Sequence, residues 1–230
     1  INDDYFQTEF FGPIIGVMPA RDVQDAVKKV NLGSFGLTSG IHTLHPPSID
    51  YWLKHVQAGN LYVNRSTTGA IVQRQPFGGL KESSFGFGMK AGGPNYVLQF
   101  LNIQPDLKAN GLEPTLEDIK VNYQNSWEQK FKRPCDRSRT RGQHNVHRYL
   151  KPQGVLLIRG PDAEGRPLEL IKQALEILDV SYHMVDAPED EEVVDFLSLQ
   201  AIYFQDHDRI RAVGKIPLSL LSVCHQKAIH

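Results

Sequence analysis

The residues whose types and spacing bear on chemistry cluster in two places. The run Asn60-Leu61-Tyr62-Val63-Asn64-Arg65-Ser66-Thr67-Thr68-Gly69-Ala70 passes from an apolar strand into a polar turn, and Gln75-Pro76-Phe77-Gly78-Gly79 follows a few residues later. A Thr-Thr-Gly-Ala turn at a strand end presents successive backbone N–H groups. Such groups can cradle an anion such as a carboxylate, and the glycine lets the main chain come close. The ligand implied is small and acidic. The competing reading of the same residues is an ordinary strand followed by a glycine-rich loop, with Phe77 a plug in the core. Asn64 ends the strand and orients the loop, with no catalytic role. Upstream, Glu9 and Phe11 stand two residues apart before Gly12-Pro13. In extended or turn backbone that spacing puts both side chains on one side, where they can share a ligand. The alternative there is a surface Glu beside a core Phe.

Nucleophile and metal chemistry find less support. The only cysteines, Cys135 and Cys224, are far apart and in unlike surroundings. That argues against a disulfide scaffold or a cysteine-based zinc site and fits a reducing, cytoplasmic compartment. Cys135 lies in Arg133-Pro134-Cys135-Asp136-Arg137 and Cys224 precedes His225, but neighbours in sequence do not make a catalytic geometry. The nine histidines include no His-Glu-x-x-His pattern, and His144 and His147 lie in a strongly basic stretch that repels a cation. No metal site is expected.

The elements that must position these groups follow from periodicity. Val23, Ala26, Val27 and Val30 recur at helical spacing between Asp22, a fitting N-cap, and Gly33, just past the end. Gly36 to Leu44 reads as a buried strand. Pro47 to Ala58 reads as a helix carrying Ile49, Trp52, Leu53 and Val56, stopped by Gly59 before the strand Leu61 to Asn64. Gly78 to Gly93 reads as a long loop, and Tyr96 to Ile103 alternates enough for an edge strand, which needs some cover. Pro105 to Pro114 reads as a linker. Residues 115–149 are helical at first and then basic, with Lys130, Lys132, Arg133, Arg137, Arg139, Arg141 and Arg148 followed by Lys151. Beyond Gly154 come a strand Val155 to Arg159, a helix Pro167 to Leu178, a strand Tyr182 to Val185, a helix Glu191 to Leu199 and a strand Arg209 to Val213. That β-α-β-α-β order opens on Arg159-Gly160-Pro161 and lacks the G-x-G-x-x-G turn of a dinucleotide site.

Bulk properties set limits. The chain has 230 residues, 40% hydrophobic and 22% charged, enough for one large or two small globular domains. A net charge of −1 gives no global attraction for nucleic acid or an anionic membrane. No apolar run approaches the roughly 18 residues that span a bilayer, so a soluble chain is expected. The basic run would need interleaved stacking aromatics to bind nucleic acid, and only Phe131 and Tyr149 bracket it. A solvated linker or an interface with acids such as Glu189 to Glu192 is the expectation. The start Ile1-Asn2-Asp3-Asp4 has neither an initiator methionine nor a leader, so the chain is expected to begin within a longer protein.

Thr8-Glu9-Phe10-Phe11-Gly12-Pro13, Thr68-Gly69-Ala70, Gln75-Pro76-Phe77-Gly78-Gly79 and Lys90-Ala91-Gly92-Gly93-Pro94, in that order, resemble the last part of an aldehyde dehydrogenase. Within that superfamily they resemble the branch that oxidises L-glutamate γ-semialdehyde, which includes 1-pyrroline-5-carboxylate dehydrogenases and the bifunctional proline utilization A flavoenzymes. The resemblance covers residues 1–104. Gly142 to Tyr149 and the segment after it more loosely resemble the extra C-terminal domain of many of the bifunctional proteins.

The resemblance implies NAD as cofactor, with Glu9 on the ribose hydroxyls and Phe11 against the nicotinamide. It implies that the Gly69 and Ala70 N–H groups anchor the substrate α-carboxylate, that Phe77 flanks its aliphatic part, and that Tyr96 to Ile103 is an oligomerisation strand extending a neighbouring subunit's sheet. FAD belongs to the whole protein only if a proline dehydrogenase domain lies upstream. Aldehyde oxidation needs a thiolate nucleophile, an oxyanion donor and a general base. The family's nucleophile lies upstream of the Glu9 motif in a Gly-Gln-x-Cys context that neither cysteine here matches, so no catalytic residue is assigned. The expectation is therefore an α/β chain in three parts. Residues 1–104 are the late part of an aldehyde dehydrogenase catalytic domain, 105–150 a linker and basic helical segment, and 151–230 a β-α-β accessory domain that is cut short. Expected partners are a small-molecule substrate, the missing N-terminal part of the same protein, and further copies in a homo-oligomer. The alternative is a non-catalytic assembly or lid module with similar loops.

Overall fold

The computed structural model describes residues 4–71, 74–84, 89–102, 113–189, 209–220 and 222. They form two compact α/β units, Ile1–Asn102 and Ile103–His230.

The first unit is built around two helices and short strand pairs. Helix α1, Val23–Asn31, starts where Asp22 turns extended and its side chain accepts the Asp25 N–H at 2.7 Å, satisfying one of the donors a helix start leaves orphaned. Helix α2, Pro46–His55, opens on prolines that need no N–H partner. It ends at His55, three residues short of the Ala58 that apolar periodicity suggests. Asn31 of α1 causes this early stop: its Nδ2 donates to the His55 carbonyl at 2.8 Å and its Oδ1 accepts from Gln57 N–H at 2.8 Å, while Val56 turns extended into the core. Val27, Trp52 and Val56 form that core, with Ile41, Leu61 and Val63 packed against it.

The single strand expected over Gly36 to Leu44 is two short ones, β1 Phe35–Gly36, with only Gly36 buried, and β2 Thr38–Ile41, exposed or half-buried throughout. The break falls at Leu37, whose carbonyl is drawn to the Asn60 backbone N–H (3.0 Å) and side-chain amide (2.9 Å). β2 pairs in parallel with β3, Asn60–Val63. The loop expected over Gly78 to Gly93 contains β4, Leu80–Lys81, antiparallel to β1.

Tyr96–Phe100, expected as an edge strand, is a 3₁₀ helix. After Gly93-Pro94 the backbone satisfies itself locally, with Tyr96 N–H donating to Gly93 O, Leu98 N–H to Asn95 O and Leu101 N–H to Leu98 O. Tyr96 and Phe100 then meet edge-on at 5.7 Å, an approach that a strand, with about 13 Å between residues four apart, would not allow. The apolar alternation read from the sequence is thus met by a helical turn.

The second unit begins with α3, Leu116–Ser126, opened by a capping box in which Thr115 and Asp118 satisfy each other's N–H groups. A π-helical turn, Trp127–Phe131, extends it. The sheet is parallel in the order β6-β5-β7, with β5 Gly154–Arg159 at the centre, β6 Ser181–Asp186 and β7 Arg209–Val213. Helix α4, Arg166–Leu178, crosses from β5 to β6. β5 is buried on both faces, as a central parallel strand must be. Val155 and Leu157 meet Leu175 and Leu168 of α4, while Leu156 and Ile158 pack with Leu220. The helix expected over Glu191 to Leu199, most of the expected linker over 105–114, and Cys224 lie outside the described residues. Among the described residues no helix is long and apolar enough to cross a membrane, and no three His, Cys, Asp or Glu side chains gather as a metal site.

Candidate functional site

The site is assembled in the first unit from the far end of β3 and the segment that returns beneath it. Asn64 leaves β3 in the left-handed region (φ 54°), a conformation Asn tolerates because its short side chain bonds locally. That side chain does so here, holding both backbone groups of Thr43. Ser66 and Thr68 hydroxyls then meet at 2.7 Å, and Thr68 N–H donates to Ser66 Oγ at 3.2 Å, a side-chain-closed turn. Arg65 lies over the Tyr62 ring, 5.5 Å from its centroid.

The turn delivers Gly69 at φ 83°, with no atom within 4 Å of where a Cβ would stand. Among the described residues neither the Gly69 nor the Ala70 N–H has a hydrogen-bond acceptor. The ensuing segment folds back as the Ile71 carbonyl accepts from Arg74 N–H (3.1 Å) and Gln75 N–H (2.9 Å). Phe77, half-buried, is fixed by a two-way bridge to Ala91, at 3.0 and 2.8 Å.

Beneath this segment lies a polar knot that residue-type reasoning missed. The Lys90 ammonium donates to the Gly59 carbonyl (2.6 Å), the Gly78 carbonyl (2.6 Å) and Asn60 Oδ1 (3.3 Å). Asn60, itself buried, donates to the Gly78 carbonyl (3.2 Å) and the Leu37 carbonyl (2.9 Å). Burial pushes the Lys90 ammonium down to about 8. The backbones approach so closely that a Cβ on Gly59 would collide with the Gly78 carbonyl, and one on Gly79 with Ser83. The sequence signal that could have found the knot is the placement of Gly59, Gly78 and Gly79 around one lysine, since glycine within strands and their approaches marks close backbone passage.

Glu9 and Phe11 stand on a separate N-terminal segment. Phe10, between them, packs on Tyr5 at 5.3 Å, and Phe11 is 96% exposed. The Glu9 carboxylate is exposed and has no hydrogen bond or ion pair among the described residues. No hydrogen bond, ion pair or ring contact joins Glu9 or Phe11 to Gly69, Ala70 or Phe77. The structure thus brings Gly69, Ala70 and Phe77 onto one framework and leaves the Glu9 and Phe11 pair apart from it, displayed to solvent.

In the second unit Cys135 is exposed, and its backbone bridges His147 at 2.9 Å in both directions. The rings that bracket the basic run are used on each other, Phe131 and Tyr149 meeting edge-on at 5.0 Å.

Comparison with known proteins bears on both units. Residues 2–105 match the model of the aldehyde dehydrogenase family. The 1-pyrroline-5-carboxylate dehydrogenase of Staphylococcus epidermidis is 40% identical over 102 residues, 43% of this chain and 19% of that protein. The bifunctional protein PutA of Rhizobium meliloti is 43% identical over 101 residues, 43% of this chain and 8% of that protein. The solved structure of Proline Utilization A from Corynebacterium freiburgense matches 98% of this chain with a TM-score of 0.74 and 32% identity, over 23% of that protein. Both units therefore share the fold of that protein. The chain spans less than a fifth of the length of these curated relatives.

Proposed function

We propose that the chain is the C-terminal portion of an NAD-dependent dehydrogenase that oxidises L-glutamate γ-semialdehyde, the ring-opened form of 1-pyrroline-5-carboxylate, to L-glutamate in proline catabolism. The observation that carries this reading is the pair of N–H groups at Gly69 and Ala70, left without acceptors on a turn that glycine at φ 83° makes possible. Two adjacent donors on a rigid turn suit a carboxylate, which accepts on both oxygens. The similarity to proteins named 1-pyrroline-5-carboxylate dehydrogenase and PutA supplies the rest.

In this reading Gly69 and Ala70 bind the α-carboxylate through the main chain and Phe77 packs along the aliphatic part of the substrate. Once substrate and cofactor exclude water from the turn, each donor left unfilled would cost about 1–3 kcal/mol, so aldehydes without a carboxylate are poor substrates. The exposed Glu9 carboxylate and Phe11 ring fit NAD, the first as acceptor for the two ribose hydroxyls and the second as a flat apolar surface for the nicotinamide. NAD, when bound, takes up the hydride of the aldehyde carbon. The nucleophile and the dinucleotide-binding half belong to the N-terminal part of the same polypeptide. The whole protein is a cytoplasmic homo-oligomer; the segment after residue 105 favours the bifunctional type, and FAD belongs to the protein if a proline dehydrogenase domain precedes the dehydrogenase.

The test is NADH formation by the full-length polypeptide, with 1-pyrroline-5-carboxylate and acetaldehyde compared at equal concentration. A kcat/KM at least about tenfold higher for the carboxylated substrate is expected, and Ala70→Pro, which removes one of the two N–H groups, should reduce that preference. Equal turnover of both aldehydes would refute the assignment.

A further inference from the structure

We infer that Lys90 is a positioning residue of the carboxylate-recognising site: its ammonium clamps the segment that carries Phe77 to the strand that carries the Gly69-Ala70 turn. The inference rests on reading Gly69, Ala70 and Phe77 as the groups that contact substrate.

Geometry carries it. An ammonium has three N–H donors and no acceptor, and the three oxygens it meets come from two separate stretches of chain. Gly59 and Asn60 open β3, whose far end becomes the Gly69-Ala70 turn, and Gly78 directly follows Phe77. Ala91, the next residue after Lys90, makes the two-way bridge to Phe77. Lys90 therefore holds Phe77 from both sides, through its side chain and through its neighbour's backbone. The absence of side chains at Gly59 and Gly78 is what lets the carbonyls converge on one ammonium.

The knot is more than packing. No carboxylate pairs with Lys90 among the described residues; its partners are two backbone carbonyls and an amide oxygen. Burying an ammonium among neutral dipoles is costly, and the lowered proton affinity of Lys90 reports that cost. A methionine would fill the same space with an apolar chain of similar reach. What the methionine could not do is define the distance between the two segments, because dispersion contacts are non-directional and an ammonium bonded to three oxygens is not. A charge kept at a cost in stability, at the junction of two ligand-contacting segments, is expected where placement matters.

The experiment compares the full-length polypeptide with its Lys90→Met and Lys90→Gln variants, by steady-state kinetics on 1-pyrroline-5-carboxylate and acetaldehyde and by hydrogen exchange read by mass spectrometry. Lys90→Met should raise KM for 1-pyrroline-5-carboxylate at least about tenfold with kcat within about threefold, and lower kcat/KM for acetaldehyde by a clearly smaller factor. Lys90→Gln, which keeps an N–H donor pair on a shorter stem, should fall between. Exchange should quicken in peptides covering 74–84 and 89–94 and not in those covering α1 and α2. An unchanged KM, or an equal loss on both aldehydes, overturns the positioning role. Should the wild-type polypeptide oxidise neither aldehyde, the substrate assignment fails by itself, and exchange alone decides the clamp. Acceleration confined to the two segments then supports it, and acceleration spread through both helices, or none, overturns it.

Discussion

The Asn64 side chain holds both backbone groups of Thr43, accepting the N–H on Oδ1 at 2.9 Å and donating from Nδ2 to the carbonyl at 3.0 Å. In effect the amide stands in for a backbone peptide. It continues the β2–β3 pairing beyond Val63, from the same residue whose own N–H bonds to the Ile41 carbonyl at 2.9 Å. The clamp lets the chain turn at φ 54° and still keep the register of the strands that launch the Gly69-Ala70 turn.

Asn64→Ala removes two hydrogen bonds and leaves a Cβ-bearing residue in the left-handed region without a local partner. The expected loss is about 2–5 kcal/mol, from about 0.5–1.5 per bond and about 1–2 for the backbone. Asn64→Gly loses the bonds alone and should cost less by roughly the backbone share. Urea unfolding of both variants checks this, and equal losses would show that the left-handed backbone contributes nothing.

Gly59→Ala tests the close passage under β3. The added methyl would run into the Gly78 carbonyl, which is fixed by Lys90 and Asn60 and is part of the main chain, so it cannot swing aside as a side-chain tip would. We expect a loss of at least about 2 kcal/mol, toward the upper part of the range for overpacking. In kinetics the variant should resemble Lys90→Met, because both separate β3 from the Phe77 segment. A stability within about 0.5 kcal/mol of wild type, the scatter of ordinary surface changes, would mean the loop yields freely.

Lys90 gives a pH signature whose sign is opposite to that of a salt bridge. Its folded value, about 8, lies below the ordinary lysine value of 10.5. Between those values the unfolded chain binds more protons than the folded one, so stability rises with pH across that window. Below about pH 8 both states carry the proton and the full penalty of burying it is present. The difference in unfolding free energy between wild type and Lys90→Met, followed from pH 7 to 10, should therefore shift in favour of wild type as pH rises. A flat difference would place the ammonium in solvent.

How much of this was legible beforehand depends on how local each cause is. The Asp22 cap, the apolar face of α1, a helical start after residue 115 and the span of α4 follow from neighbours a few residues apart, and the sequence marks them. The end of α2 does not, because it is set by Asn31, 24 residues away in the chain. The break between β1 and β2 is likewise set by Asn60, 23 residues from Leu37. At the site, Gly69 and Ala70 announce themselves as a turn with exposed amides. The role of Lys90 stays hidden because its oxygens come from residues 31 and 12 positions away, joined only by the fold. Tyr96–Phe100 shows the opposite failure, an apolar spacing that suits a strand in a segment whose amides bond three residues back.

The basic run yields a last prediction, because the acid within it is spent on the loop. The Asp136 carboxylate accepts from Ser138 N–H (3.1 Å), Ser138 Oγ (3.0 Å), Arg139 N–H (3.0 Å) and Asn145 N–H (3.0 Å). Asn145 in turn donates from Nδ2 to Ser138 Oγ at 2.9 Å. These donors, Asn145 N–H foremost and then Arg139 N–H, hold the carboxyl below the usual carboxylate range. They also fix Arg139 at φ 45° and Gly142 at φ 78°. The arginines at 137, 139 and 141 are exposed, so a protease that cleaves after arginine is limited by backbone order and not by access to the side chains. Asp136→Ala should speed tryptic cleavage after these arginines by at least about tenfold while cleavage elsewhere holds steady, since local opening sets the rate at such sites. Asp136→Asn mimics the protonated acid and should lie between. The carboxylate's contribution is present above its unfolded value of 3.8 and is lost as pH falls through the lower folded value, so the ordered loop should persist down to pH 5. Equal cleavage rates for wild type and Asp136→Ala would show that the Cys135–His147 bridge alone keeps the loop closed.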